Sequence, residues 1–326
     1  MRREALAFLA CPVTGEPLEL ARVDVEDPDG HVMTGELVAK GGARYPIRDG
    51  VPRLLPPDIE AIKLETAERF AEEWHRWAEL REYYENQFLG WVAPVTRADF
   101  EGQVVFEGGC GKGRHTSVVA GFGAKAVVAI DLGSSAVVAF RNTRHLKNAH
   151  VVIGDLMRPP VKKSFDLAFS VGVLHHLPDP AAAFRSLASV LRKGGKVVAW
   201  VYGYENNEWI TRFVDPVRKA LTASLGARAL KTLSLAPSAA LWGAIKLFYK
   251  PDAQGHGPKL PYGDYFASMH DFPLDEIHSI VFDQLVTPVA FYLKEDEVKR
   301  WVAEGFVDPQ VRWHRKYSWT VTGTRA

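Results

Sequence analysis

The stretch VVFEGGCGKGRHT, Val104 to Thr116, decides the fold. A β-branched and aromatic run ends at Glu107 and passes straight into glycines at 108, 109, 111 and 113, after which the pattern turns helical. Bare backbone placed directly after a strand lets the chain approach a ligand closely, because no Cβ stands in the way, and the helix that follows offers unpaired N–H groups. In an open parallel sheet that ligand sits beyond the carboxyl ends of the strands. The spacing is E-x-G-x-G-x-G, acid first. The dinucleotide pattern G-x-G-x-x-G would need glycine at position 114, where Arg114 stands.

Working outward, AVVAID, VVIGD, FDLAFSVG and KVVAWVYG are further apolar runs of strand length, each closing on a polar residue or glycine. Continuous apolarity means cover on both faces, hence a parallel sheet flanked by helices. Between two of these runs, DPAAAFRSLASVLRKGG predicts a helix with Asp179 as N-cap, Pro180 at its first position, Lys193 in the last turn and Gly194 just beyond. Residues 101–204 are therefore expected to form a doubly wound, Rossmann-like α/β core.

Four segments surround that core. Residues 1–57, with GELVAK and ARYPIRDGVPRLLPP, predict a small β-rich module ending at Pro56 and Pro57. Residues 58–100 carry Trp74, Trp77, Leu80 and Tyr84 at helical spacing among charges, which predicts amphipathic helices able to fold over the pocket. Residues 205–292 break the alternation with a basic amphipathic stretch and an aromatic tail, as a substrate-covering insertion or lid would. Residues 293–326 return to a helix and two strands that complete the core.

Lys plus Arg (40) and Asp plus Glu (39) nearly cancel, which removes the basic excess with which duplex-binding proteins displace counterions. Only Cys11 and Cys110 occur, in dissimilar contexts, so a disulfide framework has no support and a reducing cytoplasm is expected. The apolar run Ala5 to Ala10 is shorter than a secretion signal requires, and no stretch reaches membrane-spanning length.

The glycine spacing, the remaining strand ends and SVGVLHHLPDP, Ser170 to Pro180, together resemble the class I S-adenosylmethionine-dependent methyltransferases. The likeness covers residues 104–204 and, less fully, 290–326. It implies S-adenosyl-L-methionine as cofactor and S-adenosyl-L-homocysteine as product. Glu107 then lies near the methionine moiety, with Gly108, Gly109, Gly111 and Gly113 as the floor. Asp131, followed by Leu132, matches the acid that takes the ribose hydroxyls, and Asp155 the carboxylate near the adenine amine, with Leu156 beside the ring. Ser170, Val171 and Gly172 are expected at the methyl-bearing end, and Arg114 near the cofactor carboxylate. Glu107 departs from the commoner Asp by one methylene.

A sulfonium donor carries its own electrophile, so a base is needed only where the acceptor must lose a proton early. His175, His176 and Tyr204, which follow strands four and five of the core, are the expected candidates, with Tyr202 on the same rim. Acids and histidines of the insertion, such as Asp264, His278 and Asp283, read as caps or core donors.

LACPVTGEPLEL and RYPIRDGVPRLLP resemble a zinc-ribbon-derived domain attached to some methyltransferases, but Thr14 stands where a second cysteine belongs and none occurs near Lys40 to Arg44, so no zinc is expected. The aromatic insertion and balanced charge favour a small-molecule acceptor and argue against a nucleic acid. The alternative is an RNA or protein methyltransferase, or a non-catalytic partner that binds the cofactor. A membrane-surface contact through Arg212 to Lys250 is allowed, but a buried lid or a homo-oligomer contact accounts better for those residues.

Overall fold

Apolar runs that end on glycine or an acid form strands here because neighbouring elements cover both of their faces. In the computed structural model, which describes residues 1–208, 210–216, 220, 227–286 and 290–326, the chain opens with β1 (Leu18–Glu26), β2 (Val32–Ala39), β3 (Arg44–Arg48) and β4 (Val51–Leu54). Helices α1 (Ala61–Arg76) and α2 (Tyr84–Val92) follow. The central alternation runs β5 (Val104–Gly108), α3 (Arg114–Gly121), β6 (Ala126–Asp131), α4 (Ser135–Thr143), β7 (Ala149–Gly154), β8 (Phe165–Val171), α5 (Pro180–Ser189) and β9 (Leu191–Tyr202). After it come α6 (Ala227–Phe248), α7 (Gly263–Ala267) and α8 (Leu274–Val286), then α9 (Glu295–Trp301), β10 (Phe306–His314) and β11 (Ser318–Arg325).

All eleven strands join one sheet in the order β1-β2-β3-β4-β7-β6-β5-β8-β9-β11-β10. β4, β7, β6, β5, β8 and β9 pair in parallel, and β11 closes antiparallel on β9. The order reverses between β5 and β8, the place where an open sheet leaves a crevice for a ligand. Strand alternation divides the core: Phe106 and Val128 pack on one face with Phe184 and Leu187, whereas Val105 and Val127 pack on the other with Phe88, Phe100 and Phe169. Each such side chain contributes roughly 1.5–3 kcal/mol.

The first four strands do not stand alone. Leu37, Ile47 and Leu54 belong to the same apolar cluster as Phe106 and Val128, and Cys11 Sγ lies 3.1 Å from Tyr45 Oη within it. The helix predicted through Lys193 ends earlier. Asp179 caps it by accepting from Ala182 N at 2.8 Å, but α5 stops at Ser189, and Lys193 and Gly194 belong to β9. Pairing of Leu191 with Phe165 outweighs the local helix signal there, and the register shift before Lys196 absorbs the intervening residues. Among the described residues, no helix is long and apolar enough to cross a membrane.

Candidate cofactor and acceptor site

The loop after β5 is stitched to the end of β6. Gly109 N and Cys110 N both donate to Ile130 O, at 2.8 and 2.9 Å, and Gly111 N donates to Asp131 Oδ2 at 2.8 Å. Holding this path requires positive φ at Gly109 (81°) and Gly111 (52°). A Cβ on Gly109 would fall 2.3 Å from Val173, and one on Gly111 would press on the Trp74 indole at 3.1 Å. Gly108 lies under Leu156, and Gly113 lies against Ala139 of α4.

Three carboxylates mark the strand ends. Glu107 is 1 % exposed, accepts from Thr116 Oγ1 and faces His115 Nδ1 at 3.7 Å. Its Oε1 has no hydrogen-bond partner, and burial raises its pKa from 4.5 to about 8, against the opposing effect of the Thr116 bond. Asp131 accepts from Gly111 N, Gly133 N and Ser135 Oγ. Asp155 is 3 % exposed; Met157 N satisfies Oδ1, while Oδ2 is unpartnered. Buried carboxylate oxygens without donors are costly, so Glu107 and Asp155 are each set to receive an N–H group.

These strand ends open into a cavity of about 1230 Å³, larger than the roughly 300–1,000 Å³ of ordinary small-ligand pockets. Trp74 from α1 and Trp91 from α2 wall one side, Tyr265 and Phe266 from α7 another. The Arg114 guanidinium lies over Trp91, Tyr84 and Trp74 at 5.2, 5.5 and 5.9 Å from the ring centres. Lys112, also in the lining, is held in place by its neighbours: its Nζ donates to Trp77 O at 2.8 Å and Tyr84 Oη at 2.9 Å. Tyr84 Oη in turn donates to both oxygens of Glu276 in α8. The glycine loop, α2 and α8 are thus joined by one buried polar chain.

The structure brings most of the predicted residues together. Gly109, Gly111, Arg114, Asp131, Leu132 and Asp155 line the cavity, as do Leu156, Val171, Gly172 and His176. Gly108, Gly113 and Glu107 lie behind that lining. Ser170 is fully buried, donates to Gly108 O at 2.7 Å and so braces β8 to β5 outside the cavity lining. His175 is also fully buried. It packs on Tyr202 with ring centres 3.9 Å apart, both its ring nitrogens lack partners, and burial keeps it neutral. Tyr204 lies outside the lining as well, because β9 ends at Tyr202 and strand alternation no longer governs the chain beyond it; Tyr202 takes the rim position.

Sequence reasoning missed Trp91, Trp200 and Tyr317, all of which line the cavity. For Trp200 a signal was present, since it lies two residues before Tyr202 on the same strand.

Residues 106–199 match a family described as a methyltransferase domain. They form a class I methyltransferase domain. The expected α/β fold and the S-adenosylmethionine cofactor hold for this domain, and the glycine cradle with the Asp131 and Asp155 carboxylates in the cavity lining fits that cofactor. A tRNA U34 carboxymethyltransferase of Methylococcus capsulatus is 31% identical over 175 residues, 51% of this chain and 49% of that protein. The enzyme of the same name from Pseudoalteromonas translucida is 29% identical over 156 residues, 47% of this chain and 44% of that protein. The chain thus spans about half the length of these relatives. A solved S-adenosylmethionine-dependent methyltransferase from Aquifex aeolicus superposes with a TM-score of 0.43 at 15% identity, over 78% of this chain and 98% of that one.

The relatives correct two expectations. Proteins about 30% identical to this chain over up to 175 residues are named for acting on tRNA, which overturns both the small-molecule acceptor and the argument against a nucleic-acid partner. Balanced net charge misled because it sums over the whole surface, whereas RNA recognition through unstacked bases depends on local aromatic and hydrogen-bonding groups.

Proposed function

We propose that this chain transfers the activated methyl, or substituted methyl, group of a sulfonium nucleoside to a nucleotide of tRNA. The observation that carries the reading is the roughly 30% identity to tRNA U34 carboxymethyltransferases across about half the chain. The cavity supports it physically. Its volume exceeds an ordinary cofactor pocket, and Trp200, Tyr202, Tyr265 and Tyr317 offer flat apolar walls against which an unstacked base can rest.

On this reading Asp131 takes the ribose hydroxyls, Asp155 Oδ2 the adenine amine, and Glu107 the ammonium group, each through an oxygen that β5, β6 or β7 presents. The cofactor when bound supplies an electrophilic carbon on positively charged sulfur. The protein aligns the acceptor with it and excludes water, effects worth about 7–11 kcal/mol. An oxygen acceptor must also shed a proton, and His176, which lines the cavity just beyond the end of β8, can take it. Helices α1, α2, α7 and α8 serve as the walls of this chamber, and a cytoplasmic location suits the tRNA substrate.

Purified protein incubated with bulk tRNA and either S-adenosylmethionine labelled in its methyl or the corresponding S-carboxymethyl sulfonium labelled in the transferred carbon, each with and without ribonuclease, tests the reading. Label from one of the two donors should enter a ribonuclease-sensitive fraction, and the mass gained by the modified nucleoside distinguishes a methyl from a carboxymethyl group. Label confined to small molecules would sink it.

A further inference from the structure

Helix α6 (Ala227–Phe248) has two unlike faces. One packs on the walls of the chamber: Leu230 and Ile245 are buried, Trp242 Nε1 donates to Phe272 O at 3.2 Å, and Ser234 Oγ lies 2.9 Å from His278 Nε2 of α8. The other points outward and is apolar. Leu233, Ala236, Pro237, Ala240 and Leu247 are exposed there, Leu233 to 57 % and Leu247 to 77 %, and Gly243 and Ala244 are partly exposed. At about 3.6 residues per turn these seven lie within about 60° of the direction of Ala240, so they form one stripe. A surface helix ordinarily turns its polar side to water, and an apolar stripe left outside marks a contact.

Charge narrows what can cover it. No acid, base or histidine occurs from Thr232 to Ile245. The lysines that bracket this stretch turn inward: Lys231 Nζ lies 5.6 Å from the Trp77 ring centre, and Lys246 Nζ donates to His270 O. A neutral stripe has nothing to pair with RNA phosphates. Helices that rest on a bilayer carry cations along their other face, which here is packed against α8. The complement is a second neutral, apolar stripe.

The order of residues identifies that second stripe. Leu233 and Leu247 stand seven residues to either side of Ala240, Ala236 and Ala244 four, Pro237 and Gly243 three. Two-fold association sets residue i of one copy against j of the other, and j against i. An antiparallel pair of α6 helices centred on Ala240 therefore puts leucine on leucine, alanine on alanine and the proline ring on bare glycine. Small side chains at the centre let the helices approach closely. Stable dimers bury roughly 800 Å² on each partner; the stripe runs about 21 Å from Leu233 to Leu247, and the exposed Leu235 and Phe248 widen it.

We infer that the outer face of α6 joins two copies of this chain in a two-fold dimer with Ala240 on the axis. The pairing braces the chamber from outside, because α6 holds Phe272 and α8 in place. It is independent of which acceptor the chamber takes.

Analytical ultracentrifugation of the full chain over a concentration series should show a monomer–dimer equilibrium. Ala240→Glu sets like charges against each other on the axis and should weaken the dimer about a hundredfold or more, while S-adenosylhomocysteine affinity within about twofold of wild type shows that the variant folds. The axis has its own signature. Cys11 and Cys110 are buried, so with a short bismaleimide Ala240→Cys alone should yield a covalent dimer. Leu233→Cys or Leu247→Cys alone should not, and an equimolar mixture of those two should. A chain that stays monomeric at every concentration, a dimer that Ala240→Glu leaves intact, or a dimer in which Ala240→Cys fails to crosslink overturns the inference. So does a monomer that sediments with phosphatidylglycerol vesicles and is released by Ala240→Glu, which makes the stripe a membrane face.

Discussion

Replacing Glu107 with Gln should make the protein more stable at alkaline pH, although it removes the carboxylate proposed to meet the cofactor ammonium. The side chain is 1 % exposed, and burial raises its pKa from 4.5 to about 8. Below pH 4.5 the native and unfolded chains both hold the proton. Between 4.5 and about 8 the unfolded chain has released it while the native chain keeps it, so stability falls as pH rises; above about 8 the loss levels off. At 1.36 kcal/mol per pH unit the full loss is about 5 kcal/mol at most. The amide of the Glu107→Gln variant would be neutral throughout and still accept from Thr116 Oγ1, so its pH dependence lacks this slope. Urea unfolding of both proteins at pH 5.5, 6.5, 7.5 and 8.5 measures the difference. Wild type should lose several kcal/mol relative to Glu107→Gln across that span, and S-adenosylhomocysteine, whose ammonium favours the charged carboxylate, should recover more stability at the alkaline end in wild type than in the variant. Parallel stability curves for the two proteins would refute the reasoning.

Tyr84→Phe removes the hydroxyl that joins Lys112 to Glu276 and leaves both charged groups buried with fewer partners, which should cost about 2–4 kcal/mol in denaturant unfolding. Asp131→Ala deletes the acceptor of Gly111 N as well as the proposed ribose ligand, so calorimetry should show cofactor affinity falling at least about tenfold. Gly111→Ala forces a Cβ to within 3.1 Å of the Trp74 indole at a φ of 52°, and should lower stability by about 1–3 kcal/mol in the same unfolding measurement. Because His175 is sealed behind Tyr202 while His176 faces the cavity, His175→Phe should leave turnover within a few-fold of wild type and His176→Ala should depress it by about 10²-fold or more; labelled-transfer rates for the two variants decide between them.

The parts of the fold that could be read from sequence are those set by local pattern. VVFE, AVVAID, VVIGD and FDLAFSVG are strands because each is apolar on both faces, and Asp179 with Pro180 starts a helix by capping chemistry that needs no tertiary partner. The carboxylates at 107, 131 and 155 could be placed for the same reason, since a strand end fixes where its last side chain points. What escaped was decided by contacts between distant segments. Leu191 pairs with Phe165 and ends a helix that its own sequence would continue. Ser170 is taken by Gly108 O, and the chain beyond Tyr202 leaves its strand to pair with Leu293, which carries Tyr204 away from the rim.

The acceptor was misread because near-cancelling charge totals, 40 against 39, say nothing of where the charges lie. The turn between β10 and β11 shows how position matters. Arg315 and Lys316 both hold positive φ, 47° and 62°, a conformation that costs a non-glycine residue about 1–3 kcal/mol each. Glycine or asparagine would relieve that cost in a two-residue hairpin. The turn instead carries two cations, and Arg315 lines the cavity with Nη1 held on Asp264 O at 2.6 Å. With Arg114 braced over three rings elsewhere in the lining, two guanidinium groups stand in an aromatic chamber that also holds the carboxylates of Asp271, Glu276 and Asp283. Recognition of an unstacked base depends on such a local arrangement of aromatic walls, cations and acids, which a whole-chain sum of charges averages away.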